Sequence, residues 1–387
     1  MWFFNSPQVV FGEGALAYLA QIHGARAYII TDAQMVELGF VELVTEQLAQ
    51  ANIQARVFDQ VEPEPSLDTV RRGAALLREY EPDWVVGLGG GSPMDAAKAI
   101  WALYECPDLQ PDCINPLEYL GLGKKARLIE IATTSGTGSE VTWATVLSDP
   151  AENRKLGLGS RETLATIAIV DPVFALKMPP RLTADTGLDA LTHAIEGYTS
   201  SWHNDFSDGM CLKAVDLVFK FLPKAYADGS DIEAREKMHN AAAIAGLGFI
   251  NSLAALAHAM GHSFGGAFHI PHGRAVSLFL PYTMEFAANG GNQRYADLAR
   301  FIGLNGNDDA QLTRQFIAAV RDLQTGLQSH TNVASLNIAR DDFTRAMPTL
   351  LDHAENDTSI TANSRVPGRA ELEKVFWYAY EGKPVDF

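Results

Sequence analysis

Four of the ten histidines in this 387-residue chain fall within fifteen positions, at His258, His262, His269 and His272. The surrounding stretch, residues 238–273, contains no Asp, Glu, Lys or Arg. Buried imidazole nitrogens need partners, so such a cluster in an Ala/Gly-rich segment is unfavourable unless something satisfies them. A bound metal ion is the simplest way to do so.

A matching half-site precedes this cluster, at Asp189 and His193 in the segment GLDALTHAIEGY. Four residues apart, the two side chains share one face of a helix. Together with His258 and His272 they make a set of three imidazoles and one carboxylate, which suits Fe(II), Zn(II) or another first-row ion. Pro271 fixes the turn that precedes His272. Taken singly, each pair has a plainer interpretation, as an exposed ion pair or as hydrogen-bonded core histidines.

Three further segments are typical of a nucleotide site. GGGSPMDAAK (residues 89–98) follows the strand-like WVVGL and opens a helix, where free N–H groups and the helix dipole favour a phosphate. TTSGTGSEVT (residues 133–142) follows a second strand, and Asp32 ends the strand-like AYIIT, where a carboxylate can accept ribose hydroxyls. Ordinary turns are the alternative for each. Because the acid precedes the glycines, the order differs from the usual Rossmann fingerprint.

Alternating apolar segments predict the scaffold of the first half. Strands are expected at 27–31, 56–59, 84–88, 128–132 and 166–170, with helices at 41–51, 66–80 and 93–104. This alternation predicts a mostly parallel, doubly wound sheet, whereas the pattern from Thr183 onward is helical. The predicted domains are therefore 1–180 and 181–387. Residues 241–257 are apolar enough for a membrane span, but their Ala/Gly content favours one buried, closely packed helix.

Composition narrows the class of protein. The formal net charge of −17 argues against nucleic acid or an anionic membrane as a partner, because both require a basic face. Three cysteines are too few and too irregularly spaced for a disulfide framework. The start, MWFFNSPQVVFG, lacks the features of a signal peptide, so the expected location is the cytoplasm.

These motifs resemble the iron-containing (group III) alcohol dehydrogenases, which are related in fold to glycerol dehydrogenase and dehydroquinate synthase. The resemblance rests on GGGSPMDAAK, TTSGTGSE, TGLDALTHAIEGY and HAMGHSFGGAFHIPHG. It implies a dehydroquinate-synthase-like α/β dinucleotide-binding domain, followed by an all-α metal-binding domain. It also implies a homodimer, in which the apolar run Trp2 to Phe4 and the following Gln8 to Phe11 could pair as an edge strand.

The same resemblance implies the site residues. The metal ligands would be Asp189, His193, His258 and His272, and Phe249 would border the substrate, with Trp143 and Ala144 at positions where members differ. The implied cofactor contacts are Asp32, Gly90, Gly91, Ser92, Asp95, Thr133, Thr134, Thr142, Val146 and Lys155. His262, one helical turn after His258, is the candidate catalytic proton relay, although a structural histidine remains the alternative.

The predicted activity is NAD-dependent, metal-dependent interconversion of short primary alcohols or diols and aldehydes, with Fe(2+) or Zn(2+). Residues 33–42 contain no Arg or Lys, so Asp32 predicts NAD rather than NADP. The alternatives are a zinc-dependent polyol oxidoreductase like glycerol dehydrogenase, a lyase like dehydroquinate synthase, and a non-catalytic metal- or nucleotide-binding protein. The lyase requires basic residues around the metal, and the segments that flank the ligands hold only Arg274.

Overall fold

The computed structural model describes residues 3–150 and 154–387. The chain forms two compact units, Met1–Lys177 and Met178–Phe387. Each unit has its own apolar cores, made of residues from that unit alone. Trp2, part of the predicted N-terminal pairing segment, lies outside the described residues.

The first unit is built on a parallel sheet. Its described strands are β1 (Gln8–Phe11), β2 (Arg26–Ile30), β3 (Gln54–Phe58), β4 (Trp84–Gly89), β5 (Arg127–Ala132), β6 (Ala144–Asp149), β7 (Arg154–Gly159) and β8 (Ile167–Val170). Six of them form the parallel sheet, with the order β1-β8-β5-β4-β2-β3. Its central strands are buried on both faces, as their unbroken apolar sequences predict. The other two, β6 and β7, form a separate antiparallel hairpin that was not predicted from the sequence.

Helices cover both faces of this sheet, which confirms the doubly wound α/β prediction. They are α1 (Ala33–Glu37), α2 (Phe40–Gln50), α3 (Leu67–Tyr80) and α4 (Gly91–Glu105), with 3-10 turns at Ala15–Gln21, Pro111–Cys113, Ser139–Val141, Arg161–Thr163 and Pro172–Phe174. One apolar core joins the sheet to α3 and α4, and the other joins its opposite face to α2. Ser66 caps α3, because its hydroxyl accepts the N–H of Thr69.

In the second unit the regular secondary structure of the described residues is entirely helical, as predicted. No helix in the described chain is long and apolar enough to cross a membrane. The helices are α5 (Pro180–Thr199), α6 (Asp205–Ala227), α7 (Ile232–Phe249), α8 (Leu256–Phe268), α9 (His272–Asn289), α10 (Tyr295–Phe301), α11 (Asp309–Gly326), α12 (Arg340–Asn356) and α13 (Arg369–Glu381), with 3-10 turns at Ala334–Leu336 and Thr358–Ala362.

The single helix predicted across 241–257 is wrong. The chain breaks after α7, where Leu253 adopts a left-handed backbone conformation with φ 69°, and helical structure resumes only at α8. The carboxylate of Glu196, on α5, accepts the N–H groups of Ala255 and Ala257 at 2.9 and 2.5 Å. A distant side chain therefore caps the new helix, and local apolar periodicity contains no sign of it.

Candidate metal centre and nucleotide-binding loops

The first half-site lies on α5. Asp189 and His193 are one helical turn apart and only 1% and 4% exposed, because α5 packs against α6, α7 and α9. This burial rules out an exposed ion pair, the plainer interpretation of their spacing. A buried carboxylate is unfavourable without partners that compensate its charge.

Two more helices complete the cluster. His258 lies in the first turn of α8, and His272 is the first residue of α9, directly after Pro271. One ligand atom from each of the four predicted residues lies within 4.8 Å of the others. Oδ1 of Asp189 is 3.4 Å from Nε2 of His272, 3.9 Å from Nδ1 of His193 and 4.0 Å from Nε2 of His258. The structure thus brings together side chains that are up to 83 positions apart in the sequence.

Three of the four ligand atoms have no hydrogen-bond partner among the described residues. Oδ1 of Asp189, Nδ1 of His193 and Nε2 of His258 are buried and have no hydrogen bond to any described residue. Each such atom costs about 1–3 kcal/mol when left unsatisfied. A first-row ion binds oxygen and nitrogen at about 2.0–2.2 Å, which holds neighbouring ligand atoms about 3–4 Å apart. The residues present therefore fit a metal ion.

The electrostatics give Asp189 and His193 the protonation states that a metal needs. Burial would raise the pKa of Asp189, but His193 and His272 outweigh it and hold this pKa well below its usual range. Burial lowers the pKa of His193 to about 3, although the Asp189 carboxylate opposes the shift. An ionised carboxylate and a neutral imidazole are the metal-binding forms of these side chains.

Glu196 supports this site and was not among the residues predicted from the sequence. Its Oε2 lies 2.5 Å from Nδ1 of His258, which leaves Nε2 directed to the cluster as the ligand atom. Burial would lower the pKa of His258, but the Glu196 carboxylate raises it above its ordinary value. A carboxylate behind a ligand histidine fixes the ring and increases its basicity. Because Glu196 lies seven residues after Asp189, helical spacing could have revealed it.

His262 lies beside the cluster but is not one of its four members. Its ring stacks on His272, with 5.1 Å between the centroids, and its Nδ1 lies 2.7 Å from Oδ2 of Asp357. Burial lowers the pKa of His262, although Asp357 opposes the shift, so its imidazole is neutral near neutral pH. Asp357 is 95 positions away and follows α12, so no local pattern could have identified it. The catalytic role of His262 stays a prediction.

The remaining residues predicted around the metal have different surroundings. Phe249, the last residue of α7, stacks on His193 with 4.1 Å between ring centroids. Trp143 belongs to the first unit, where its carbonyl accepts the hydroxyl of Thr163, so its contact with a substrate stays a prediction. Arg274 is held by Asp185, with 2.7 Å between Nη2 and Oδ2.

The predicted nucleotide segments follow three neighbouring strands. Asp32 follows β2, residues 90–92 follow β4, and Thr133 follows β5, so all three lie at the carboxyl edge of the sheet. From β2 the chain moves outward to β3 and then returns past β2 to β4, so the strand order reverses between β2 and β4. Open α/β sheets bind their ligands at such a switch point.

The glycine loop brings the backbone close to its surroundings. Gly89 has φ 153°, and a Cβ at this residue would lie 2.5 Å from Cγ of Pro93. At Gly91 a Cβ would lie 3.2 Å from the side chain of Thr137. The N-terminus of α4 has no side-chain cap, so its first N–H groups can bind an anion.

Two predicted cofactor residues, Asp95 and Val146, bind each other instead of standing open. Oδ2 of Asp95 accepts the N–H of Val146 at 2.9 Å, and its Oδ1 accepts the hydroxyl of Ser139 at 2.7 Å. Lys98, which the sequence analysis did not single out, is fully buried and donates to the carbonyls of Ser139 and Ala144. This network joins α4 to the loop of residues 133–142, so Asp95 stabilises the arrangement of that loop against α4.

The other predicted cofactor residues also have partners within the first unit. Asp32 caps α1 by accepting the N–H of Met35 at 3.1 Å, and Lys155 pairs with Glu64 at 2.6 Å. Hydrogen bonds join Thr133 to Gly89, Thr142 to Ser139 and Ser92 to Glu64. A Cβ at Gly90 would lie 3.4 Å from the side chain of Thr134. Whether these residues contact a nucleotide stays a prediction.

Comparison with known proteins identifies the family. Residues 6–172 match the family model "Iron-containing alcohol dehydrogenase", and residues 183–380 match "Fe-containing alcohol dehydrogenase family, C-terminal". The chain is 38% identical to the NADPH-dependent butanol dehydrogenase of Clostridium saccharobutylicum, over 99% of both chains. It is also 38% identical to aldehyde-alcohol dehydrogenase 2 of Entamoeba histolytica, over 98% of this chain but only 46% of that protein.

The fold gives the same result. The crystal structure of a 1,3-propanediol oxidoreductase superimposes with a TM-score of 0.92 at 31% identity, over 98% of this chain and 100% of that one. Family models cover both units, and the predicted ligands converge in the second. The chain therefore belongs to the iron-containing alcohol dehydrogenase family.

Proposed function

We propose that this protein is an NAD-dependent, metal-dependent dehydrogenase that interconverts short primary alcohols or diols and their aldehydes by hydride transfer. The observation that carries the proposal is the cluster of Asp189, His193, His258 and His272, in which three buried ligand atoms have no hydrogen-bond partner among the described residues. The names of two relatives, a butanol dehydrogenase and a 1,3-propanediol oxidoreductase, support the substrate class. The family implies iron, and the donor set accepts zinc equally well.

When bound, the metal would act as a Lewis acid on the oxygen of the alcohol or aldehyde. The protein's own residues supply the rest of the chemistry. His262 would accept the hydroxyl proton at Nε2, because its Nδ1 is engaged by Asp357. Phe249, whose ring stacks on His193, would provide an apolar surface against which a short carbon chain packs. The loops after β2, β4 and β5 would bind the dinucleotide, whose nicotinamide exchanges the hydride.

The assay is turnover by the metal-loaded protein with NAD and a panel of ethanol, propanol, butanol, 1,3-propanediol and glycerol, followed by absorbance of the reduced nicotinamide. Replacement of His272 by Ala should remove most of the bound metal, measured by elemental analysis, and abolish turnover while the fold is retained. Full activity in a metal-free His272→Ala protein would contradict the metal proposal. Faster turnover of 2-hydroxy acids than of the alcohols would contradict the substrate class.

The cofactor preference rests on Asp32. NADP would place its doubly charged 2′-phosphate against this carboxylate, at a cost on the order of 3 kcal/mol, or roughly a hundredfold in kcat/KM. The 38% identical butanol dehydrogenase is named as NADPH-dependent, so the preference must be measured for this chain. Replacement of Asp32 by Gly should reduce the difference in kcat/KM between NAD and NADP by raising the value with NADP. Equal kcat/KM for the two cofactors in the unmodified protein would exclude this role.

The rival activities separate in the same assay. A zinc-dependent polyol oxidoreductase would prefer glycerol, and metal analysis after anaerobic purification would return zinc. A lyase for phosphorylated, carboxylated substrates is disfavoured, because Arg274, the one basic residue that flanks the ligands, is engaged by Asp185. A binding protein without catalysis would turn over none of the panel.

A homodimer is the proposed assembly, and the exposed edge of the sheet supports it. Among the described residues β1 pairs with β8 alone, and Phe11 at its end is 67% exposed. An edge strand of this kind is a template for pairing with a second chain. Light scattering at micromolar concentration should give twice the mass of one chain, and a monomeric mass would contradict the proposal.

A further inference from the structure

The carboxylate of Asp357 makes two separate contacts. Its Oδ1 accepts the N–H of Ser359 at 2.8 Å and so caps the 3-10 turn Thr358–Ala362, which packs against α8. Its Oδ2 lies 2.7 Å from Nδ1 of His262. An Asp side chain is ordinarily ionised near neutral pH, so the pair is a carboxylate that faces an imidazole.

This contact determines which nitrogen of His262 carries the proton. An ionised carboxylate is an acceptor only, so Nδ1 must donate, and in the neutral ring Nε2 is then the acceptor atom. The side chain of His262 is 31% exposed, so packing alone does not fix the orientation of the ring. Its stacking on His272 holds its plane beside the ligand cluster, and the bond to Asp357 fixes the remaining rotation about the ring axis.

We propose that Asp357 is a positioning residue for alcohol oxidation, which holds His262 in the tautomer and rotamer whose Nε2 accepts the proton of the substrate hydroxyl. This inference rests on the proposed function, because it needs His262 as the base. In the forward direction the O–H bond of the alcohol breaks and a new N–H bond forms at Nε2, while the hydride leaves to NAD. Nδ1 keeps its proton throughout, and Asp357 stays ionised.

The test separates this role from capping. In Asp357→Asn the amide oxygen can still accept the N–H of Ser359, but the amide nitrogen cannot accept a proton from Nδ1. We expect kcat to fall about 100-fold, a typical contribution of positioned acid–base catalysis, with KM within about threefold and metal content unchanged. The matched control is Asp308→Asn, which makes the same change at the cap of α11, where no histidine is bound. It should keep the full kcat.

A double-mutant cycle and a spectrum complete the experiment. If Asp357 acts through His262, Asp357→Asn should cause no further loss of kcat in a His262→Ala protein. Ring-nitrogen NMR shifts of His262 in the zinc-loaded wild-type protein should indicate the Nδ1–H tautomer. In Asp357→Asn the shifts should indicate that this tautomer is no longer the main one.

Three results would overturn the proposal. They are a kcat of Asp357→Asn within threefold of wild type, an equal further loss in the His262→Ala background, or an Nε2–H tautomer in the wild-type protein. Absence of alcohol turnover by the wild-type protein would instead count against the proposed function. The NMR measurement does not depend on turnover, so it would still decide whether Asp357 sets the tautomer.

Discussion

Gly273, the second residue of α9, packs against α5 with no room for a side chain. A Cβ at this position would lie 2.3 Å from the backbone oxygen of Asp185 and 3.1 Å from Cβ of Asp189. Ordinary contacts of this kind begin at 3.4 Å, so a Gly273→Ala protein must separate the two helices locally by about 1 Å. Backbone on both sides of the contact leaves no flexible group to give way.

The displacement would act directly on the metal site, because His272 precedes Gly273 and faces Asp189. Overpacking of a closed contact costs about 1–3 kcal/mol of the free energy of unfolding. A misplacement of about 1 Å at a reacting centre can reduce the rate about 100-fold. We therefore expect metal affinity to fall at least about tenfold, kcat/KM to fall about 100-fold, and Tm to drop by about 2–12 °C.

The assay is metal retention against a graded chelator, combined with thermal unfolding by circular dichroism. Gly209→Ala on α6 is the matched control, since a Cβ at that exposed helical position meets nothing within 4 Å. This control should keep its metal, because nothing is displaced. It should unfold at the same or a slightly higher temperature, because Ala is the better helix former. Unchanged metal affinity in Gly273→Ala, or an equal loss in Gly209→Ala, would refute the reasoning.

Two other positions give tests of the same kind. In Glu196→Gln the amide oxygen can keep the bond to the N–H of Ala257, while the amide nitrogen replaces the oxygen that supports His258. Metal affinity should therefore fall about 10–100-fold in chelator competition, and an unchanged affinity would contradict this role. Glu130 is fully buried and has no hydrogen-bond partner among the described residues, and burial raises its pKa well above the usual 4.5. Since the folded state disfavours its ionised form, the free energy of unfolding should fall as pH rises above about 4.5. In urea unfolding, the free energy of unfolding of Glu130→Gln relative to that of the wild-type protein should therefore increase between about pH 5 and pH 8. A difference that does not change with pH would contradict this expectation.

Much of the scaffold and all four members of the metal cluster could be predicted from the sequence. The unbroken apolar strands β4 and β8 indicate a buried parallel sheet, because only strands covered on both faces are apolar at every position. Asp189 and His193 share a helix face because of their spacing, and His258 and His272 lie in a segment without charges. These signals are local in the chain, and their chemistry is already visible in the residue types.

Only the tertiary structure decided which groups on different elements contact one another at the site. Glu196 interrupts the helix predicted across 241–257 by capping α8, and Asp357 reaches His262 from 95 positions away. Likewise, the two carboxylate oxygens of Asp95 accept hydrogen bonds from Ser139 and Val146 and are not left available to a cofactor. The physical reason is the same in each case: a hydrogen bond depends on the distance and direction between two atoms. Sequence periodicity fixes these only within one helix or strand, and packing fixes them between elements.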